Sequence, residues 1–273
     1  MSRQGNVTSA VETLVLKQIG VVVPTLGRRI LMLEESLRSA RAAGADHILL
    51  VTGSRELGTS LVLSGLVDTF CLDQDKGLTH AIADGIRQLP NEVSFVNWLG
   101  DDDQLEPKSL LLLRQRIEDN SSQLSFVYGR CSYMDVKGSP LFVMPTGPWA
   151  RYLLRIGPQL ISQPACLFRR DAIENAGGLD MSLRWAFDLD LLLKLNSQGK
   201  SEFVDQPIAK FRWHSDSLSV KGRRQSVREA QTVRRKHAKG SAHLFLLLNP
   251  IISEILFFSG RVLSRYVARR LPR

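Results

Sequence analysis

Four short apolar runs, spaced by stretches of helical periodicity, constrain this chain more than any other feature. "IGVVVPTLGR" (residues 19–28), "HILLVTG" (47–53), residues 67–72 and "EVSFVNWL" (92–99) are rich in Val, Ile, Leu and Phe and show no polar alternation. Runs of that kind read as strands buried on both faces, the first of them ending at Pro24. Between them, "ILMLEESLRSARAAG", with Gly44 as C-cap, and "LTHAIADGIRQL" (78–89) carry the helical period. Strand and helix in alternation predict βαβ units, a mostly parallel sheet and helices on its faces. In such sheets ligands bind at the carboxyl ends of the strands.

The pattern then changes. Residues 124–141, "LSFVYGRCSYMDVKGSPL", predict a hairpin-like insertion turning at Lys137 and Gly138, and a segment with Pro and Gly runs on to about residue 163. A helix starts from Asp171, "FDLDLLLKLNSQG" is a helix with an apolar face, and "SEFVDQPIAKFRWH" is a further β segment. The expected organisation is a leader over residues 1–18, a body over 19–218 and a basic helical tail over 219–273. There is no internal repeat.

With 273 residues, 44% of them hydrophobic, the chain can build a sizeable α/β core. Cys71, Cys131 and Cys166 are odd in number and widely spaced, so neither a disulfide framework nor a zinc site is suggested and a reducing compartment is expected. No stretch reaches the roughly 20 apolar residues of a membrane span, and the first residues lack a secretory signal. The expected location is therefore cytoplasmic, or peripheral on the inner face of the cytoplasmic membrane.

The net charge of +9 is unevenly placed. Residues 221–273 hold 13 Lys and Arg against two acids, whereas residues 1–220 hold 23 basic and 25 acidic groups. An anionic surface is thus expected as the partner of the tail alone. The P-loop, H-E-x-x-H and G-x-S-x-G patterns are absent, which removes the corresponding kinase, metalloprotease and esterase readings.

Asp101, Asp102 and Asp103 follow the fourth strand in "NWLGDDDQLEP". Adjacent carboxylates raise one another's free energy. Either a cation sits among them or the turn is simply exposed. A D-x-D pair can hold Mg²⁺ or Mn²⁺ through one or two oxygens, with water and a diphosphate completing the shell. Asp188 and Asp190, in "AFDLDLLLKL", read either as a general base in a cleft or as acids in a first helical turn favoured by the macrodipole. His214, in "FRWHSDSLS", reads as a metal or phosphate contact or as an ordinary histidine.

Taken in order, "VVVPTLGR", "WLGDDDQLEP", "QPACLFRRDAIENAGGLD", and "AFDLDLLLKL" followed by "AKFRWHSDSLS" resemble the successive motifs of the inverting family 2 glycosyltransferases of GT-A fold, over roughly residues 19–218. The resemblance implies a nucleotide-sugar donor, a UDP-sugar, lying across the carboxyl ends of the strands with Mn²⁺ or Mg²⁺ bridging carboxylate and diphosphate. It implies Asp103 as principal metal ligand, and Asp101 or Asp102 on the ribose or a metal-bound water. Asp188 becomes the catalytic base. Pro24 and Thr25 border the nucleobase, and His214 and Ser217 close over the diphosphate. Gln163, Pro164, Arg169, Arg170 and Asp190 fall on the acceptor side. Thr52 stands where relatives carry an acid near the base or ribose, and His80 and Ala83 depart from the usual "D-A-x-N-x-G" helix.

In the tail, Ile251, Ile255, Phe258, Val262 and Tyr266 share one helical face, with Arg261, Arg265 and Arg269 largely elsewhere. That pattern fits a helix lying in an anionic membrane interface. The alternative is a helix packed on the body or on a second subunit. The function expected is sugar transfer to a lipid-linked or polysaccharide acceptor in cell-surface glycan synthesis. A binding scaffold with an altered donor site, motivated by Thr52 and Ala83, is the second reading. Nucleic-acid binding lacks interleaved aromatics and any recognisable module.

Overall fold

The computed structural model describes residues 17–120, 124–213 and 222–238. Its core is one mixed sheet. The strands are β1 Gln18–Thr25, β2 His47–Thr52, β3 Thr69–Leu72, β4 Val93–Trp98, β5 Gln104–Leu105, β6 Leu124–Met134, β7 Pro140–Val143, β8 Cys166–Arg169 and β9 Lys200–Arg212. They lie in the order β3-β2-β1-β4-β8-β6-β9-β5, with β7 paired to β6.

Strands β1 to β4 form the expected parallel half. Their side chains alternate between two cores, which is why the runs read as continuously apolar. Val22, Val51, Val96 and Trp98 face one core with Ile82 and Ile86 of helix α3 (Leu78–Gln88). Val21, Val23, Ile48 and Leu50 face the other, against Leu33 and Leu37 of helix α1 (Ile30–Ala43). Helix α1 ends at Gly44, whose φ of 104° is the left-handed conformation of a helix stop, with Ala45 N–H returning to Ala40 O at 3.1 Å. At Gly85 a Cβ would lie 2.4 Å from Val22, so the absence of a side chain lets α3 settle on β1.

Strand β1 continues one residue past Pro24, which pairs with Val51. Val22 O is already taken by Leu99 N–H, and the register with β4 stops at Val22 and Trp98. The edge on which proline lacks a donor has by then lost its neighbour, so the ring is tolerated.

The second half of the sheet is where antiparallel pairing enters. Strand β8 runs against both β4 and β6, β6 pairs with β9 in parallel, and β5 runs against β9. The hairpin of β6 and β7 turns at Gly138, with φ of 85°. Helix α2 (Arg55–Leu63) follows β2 and α4 (Ser109–Asp119) covers the sheet from the α1 side. Helices α5 (Ala150–Leu153), α6 (Arg170–Asn175), α7 (Phe187–Gln198) and α8 (Arg223–His237) complete the described chain.

Candidate active site

The acidic turn closes directly beyond β4. Asp103 N–H returns to Gly100 O at 3.2 Å, and Gly100 lets the carboxylates fold back, since a Cβ there would stand 2.8 Å from Asp103 Oδ2. Each aspartate has its own partner. Thr25 Oγ1, at the carboxyl end of β1, donates to Asp101 Oδ2 at 2.6 Å. Arg29 Nη1 donates to Asp102 Oδ2 at 2.6 Å. Arg212 N–H, at the end of β9, donates to Asp103 Oδ1 at 2.8 Å, while Arg212 Nε donates to Asp102 O at 2.8 Å.

These partners only partly compensate the turn. Burial, and then the neighbouring charge of Asp102, push the Asp103 carboxyl well above the ordinary carboxylate range. Burial also raises Asp101, against the opposing hydrogen bond of Thr25. The turn therefore favours added positive charge. Hard carboxylate oxygens are the donor set for Mg²⁺ or Mn²⁺ held through one or two carboxylates. Among the described residues no group of three or more His, Cys, Asp or Glu forms a cage by itself, so the fit is to an ion that takes its other ligands from water and an anionic ligand.

Asp188 lies in the first turn of α7 and is partly buried. Its Oδ2 accepts from Gln159 Nε2 at 2.7 Å and its Oδ1 from Leu189 N–H at 2.8 Å. Burial dominates over both and raises its carboxyl above the usual range. Tyr133 of β6 lies within electrostatic reach of both Asp103 and Asp188. Tyr133 thus feels both a metal-suited turn and a separately desolvated carboxylate, two environments suited to two roles.

Gln163 and Thr52 also sit at this end of the sheet. Gln163 Nε2 donates to Trp98 O at 2.8 Å, and Asn97 Nδ2 to Pro164 O at 3.1 Å and Cys166 O at 2.7 Å, which fixes the end of β4. Thr52 pairs with Thr25, is almost fully buried, and accepts from Ser54 N–H at 3.2 Å, so its hydroxyl holds the turn after β2.

Two residues expected on the acceptor side, Arg169 and Arg170, lie elsewhere, and Asp190 is engaged within the fold. Because β8 runs antiparallel to β4, its last residue, Arg169, pairs with Phe95 near the start of β4, at the end of the sheet remote from the acidic turn. Arg169 binds Asp171 there, and Arg170 Nη1 donates to Pro90 O at 2.6 Å. Asp190 is fully buried among basic groups, with Lys194 Nζ and His237 Nε2 each 2.8 Å from its oxygens. Burial pushes its carboxyl up, but His237 and Lys194 outweigh that and hold it below the ordinary range. His214, Ser217 and the amphipathic face from Ile251 to Tyr266 lie outside the described residues.

Helix α8, which the sequence places in the basic tail, packs against α7. Glu229 accepts from the backbone N–H groups of Arg184, Trp185 and Ala186 at 3.0, 2.6 and 2.6 Å. Arg234 is buried, donates from Nε to Leu154 O at 3.1 Å and feels the charge of Asp188; burial lowers its pKa to about 10. Arg29, Gln159, Arg212, Glu229 and Arg234 are the neighbours of the site that sequence reading does not single out. Only Arg212, a lone Arg in an apolar strand ahead of "WHSDS", carries a readable signal.

No known family's sequence pattern matches the chain, and no curated protein is similar to it in sequence. Solved structures do resemble it. The structure of residues 1–349 of S. aureus TarS superposes with a TM-score of 0.55 at 14% identity, covering 83% of this chain and 68% of that one. The same TarS segment in complex with UDP gives 0.56 at 14% identity, with the same coverage. A longer TarS structure gives 0.55 at 12% identity, and there this chain spans only 41% of its length. The likeness establishes the fold: a curled α/β sheet flanked by helices, of the GT-A kind.

Proposed function

We propose that this protein is an inverting glycosyltransferase that moves a sugar from a UDP-sugar to a hydroxyl of a lipid-linked or polysaccharide acceptor in cell-surface glycan synthesis. The observation that carries the reading is the pair of unlike acidic centres: the turn that joins Asp101 to Thr25 and Asp103 to Arg212, and the separate Asp188 carboxylate held by Gln159. The resemblance to the motifs of the family 2 enzymes and a fold shared with a protein solved in complex with UDP support it.

In this reading Thr25 and Pro24 border the nucleotide, with Asp101 and Asp102 toward the ribose. Asp103, with Asp101, would hold Mn²⁺ or Mg²⁺, which would supply charge stabilisation for the departing diphosphate. Asp188 takes the proton of the acceptor hydroxyl as that oxygen bonds to the anomeric carbon. The bond from that carbon to the diphosphate oxygen breaks, its electron pair leaves with the UDP, and attack from the opposite face inverts the configuration. Gln159 keeps the Asp188 carboxylate aimed, and each oxygen retains a lone pair for the proton.

The exposed Arg224, Arg228 and Arg235 of α8 support a peripheral position on an anionic inner-membrane surface. No helix among the described residues is long and apolar enough to cross a membrane.

UDP release from a panel of UDP-sugars, with Mn²⁺ and membrane-extracted glycolipid as acceptor, tests the reading. Turnover by the native chain that is lost in Asp188→Asn supports it. A second reading, a scaffold with an altered donor site, draws on the Thr52 hydroxyl being engaged by its own turn; it predicts no turnover and no donor binding.

A further inference from the structure

We propose that α8 is the positioning element of the Asp188 carboxylate and that Glu229 is its positioning residue, holding the chain that leads into α7 by three consecutive backbone N–H groups. The inference rests on Asp188 acting as the base.

Consecutive N–H groups that converge on one point make a concavity for an anion. Here the anion is part of the chain itself: one Glu229 oxygen takes Trp185 and Ala186 N–H, both at 2.6 Å, and the other takes Arg184 N–H at 3.0 Å. Asp188 lies two residues beyond Ala186. The other side of the same turn is also tied to α8. Asp190, two residues past Asp188, is held by His237 at 2.8 Å, and Lys236 Nζ lies 3.6 Å from it. Residues 229, 233, 234 and 237 fall on one face of α8 by helical spacing, and Val233 and Arg234 on that face are buried.

A base-bearing turn gripped on both sides by one helix is fixed in direction, and carboxylate direction decides whether a proton lies within reach. Ordinary helix packing needs only the apolar contacts of that face. The three hydrogen bonds of Glu229 add orientation, and its charge faces Asp188. Among the described residues, the other groups facing Asp188 are Arg234 of α8, Tyr133 of β6, Cys166 of β8 and the neutral Gln159. Burial keeps the Tyr133 hydroxyl and Cys166 thiol protonated at ordinary pH. Glu229 and Arg234 are therefore the charges that set the field at the carboxylate from α8.

The test uses the full chain in four forms: native, Glu229→Gln, Glu229→Asp, and Arg228→Ala as a control on the exposed face of the same helix. Amide hydrogen exchange of residues 184–186 and the carboxyl NMR titration of Asp188, assigned with Asp188→Asn, are read in each. In Glu229→Gln the three amides should exchange about tenfold faster, the equivalent of about one lost hydrogen bond, and the Asp188 midpoint should fall. Glu229→Asp keeps the charge but falls one methylene short; exchange should rise while the midpoint stays closer to native. Arg228→Ala should match the native chain. Unchanged exchange in Glu229→Gln, or a midpoint that does not move, would overturn the proposal. Neither readout needs turnover, so absence of transfer in the native protein would count against the proposed function and leave this inference to its own result.

Discussion

The backbone N–H of Arg212 and the carboxylate of Asp103, 109 residues apart in sequence, meet at 2.8 Å. The Arg212 side chain completes the link. It is almost fully buried and donates to Asp102 O at 2.8 Å, Val136 O at 2.9 Å and Glu35 Oε2 at 3.0 Å. Three segments distant in sequence are thus held at the acidic turn by one guanidinium. Arg212→Ala should destabilise the fold by about 2–4 kcal/mol, because it leaves buried carbonyls unpartnered. Urea denaturation measures this, and Arg212→Lys should recover less than half, since an ammonium cannot span the same fork.

Gly100 bears on function more than on stability. A methyl group there would crowd Asp103 Oδ2, 2.8 Å from the Cβ position, while the backbone needs no left-handed conformation. Gly100→Ala should fold with near-native stability yet lose most of any metal-dependent donor binding, read by isothermal titration with UDP and Mn²⁺.

Asp188 sets an acid limb. Its folded pKa is raised, chiefly by burial, so turnover should rise with pH through an ionisation above the ordinary carboxylate range. Gln159→Leu removes a hydrogen bond that favours the charged form and should move that limb to higher pH. Asp188→Asn should lower kcat by about 10²–10⁴ with donor binding intact. The raised value also means that the native state holds this proton more tightly than the unfolded chain. Stability therefore declines as pH climbs from the ordinary carboxylate value to the raised one, and Asp188→Asn should flatten that decline in pH-dependent melting.

Asp190 behaves oppositely. Its folded pKa is depressed by His237 and Lys194 against burial, so its contribution is present above the unfolded value and lost as pH falls through the folded one. Asp190→Ala should cost about 3–5 kcal/mol at neutral pH, the range for breaking a buried ion pair. Chemical denaturation at pH 7 is the check.

The parallel half of the fold was legible because β1, β2 and β4 are buried on both faces and α1 and α3 carry clear periods. Helices α2 and α4 were not read. The one begins with a readable cap, Ser54 accepting from Leu57 N–H, but is short; the other opens on "SLLLL", which has no visible period. Strand direction is set by pairing and leaves no mark in a short apolar run. "CLFRR" therefore gave no hint that β8 runs backward and carries Arg169 and Arg170 away from the acidic turn. Asp103 and Asp188 stood out through motif context. Glu229 did not, because the three N–H groups it binds lie more than 40 residues upstream in a segment without polar pattern, and a basic helix conceals its one anchoring acid.

Donor binding at the acidic turn is the claim on which the rest depends, and thermal stability reads it most directly. Melting of the native chain and of Asp103→Ala is followed with UDP-, GDP-, dTDP- and CMP-sugars, with and without Mn²⁺, because a ligand that binds only the folded state must stabilise it. The predicted result is a rise with a UDP-sugar that requires the metal and vanishes in Asp103→Ala. A melting temperature that no donor moves, or one moved equally in the mutant, would contradict it.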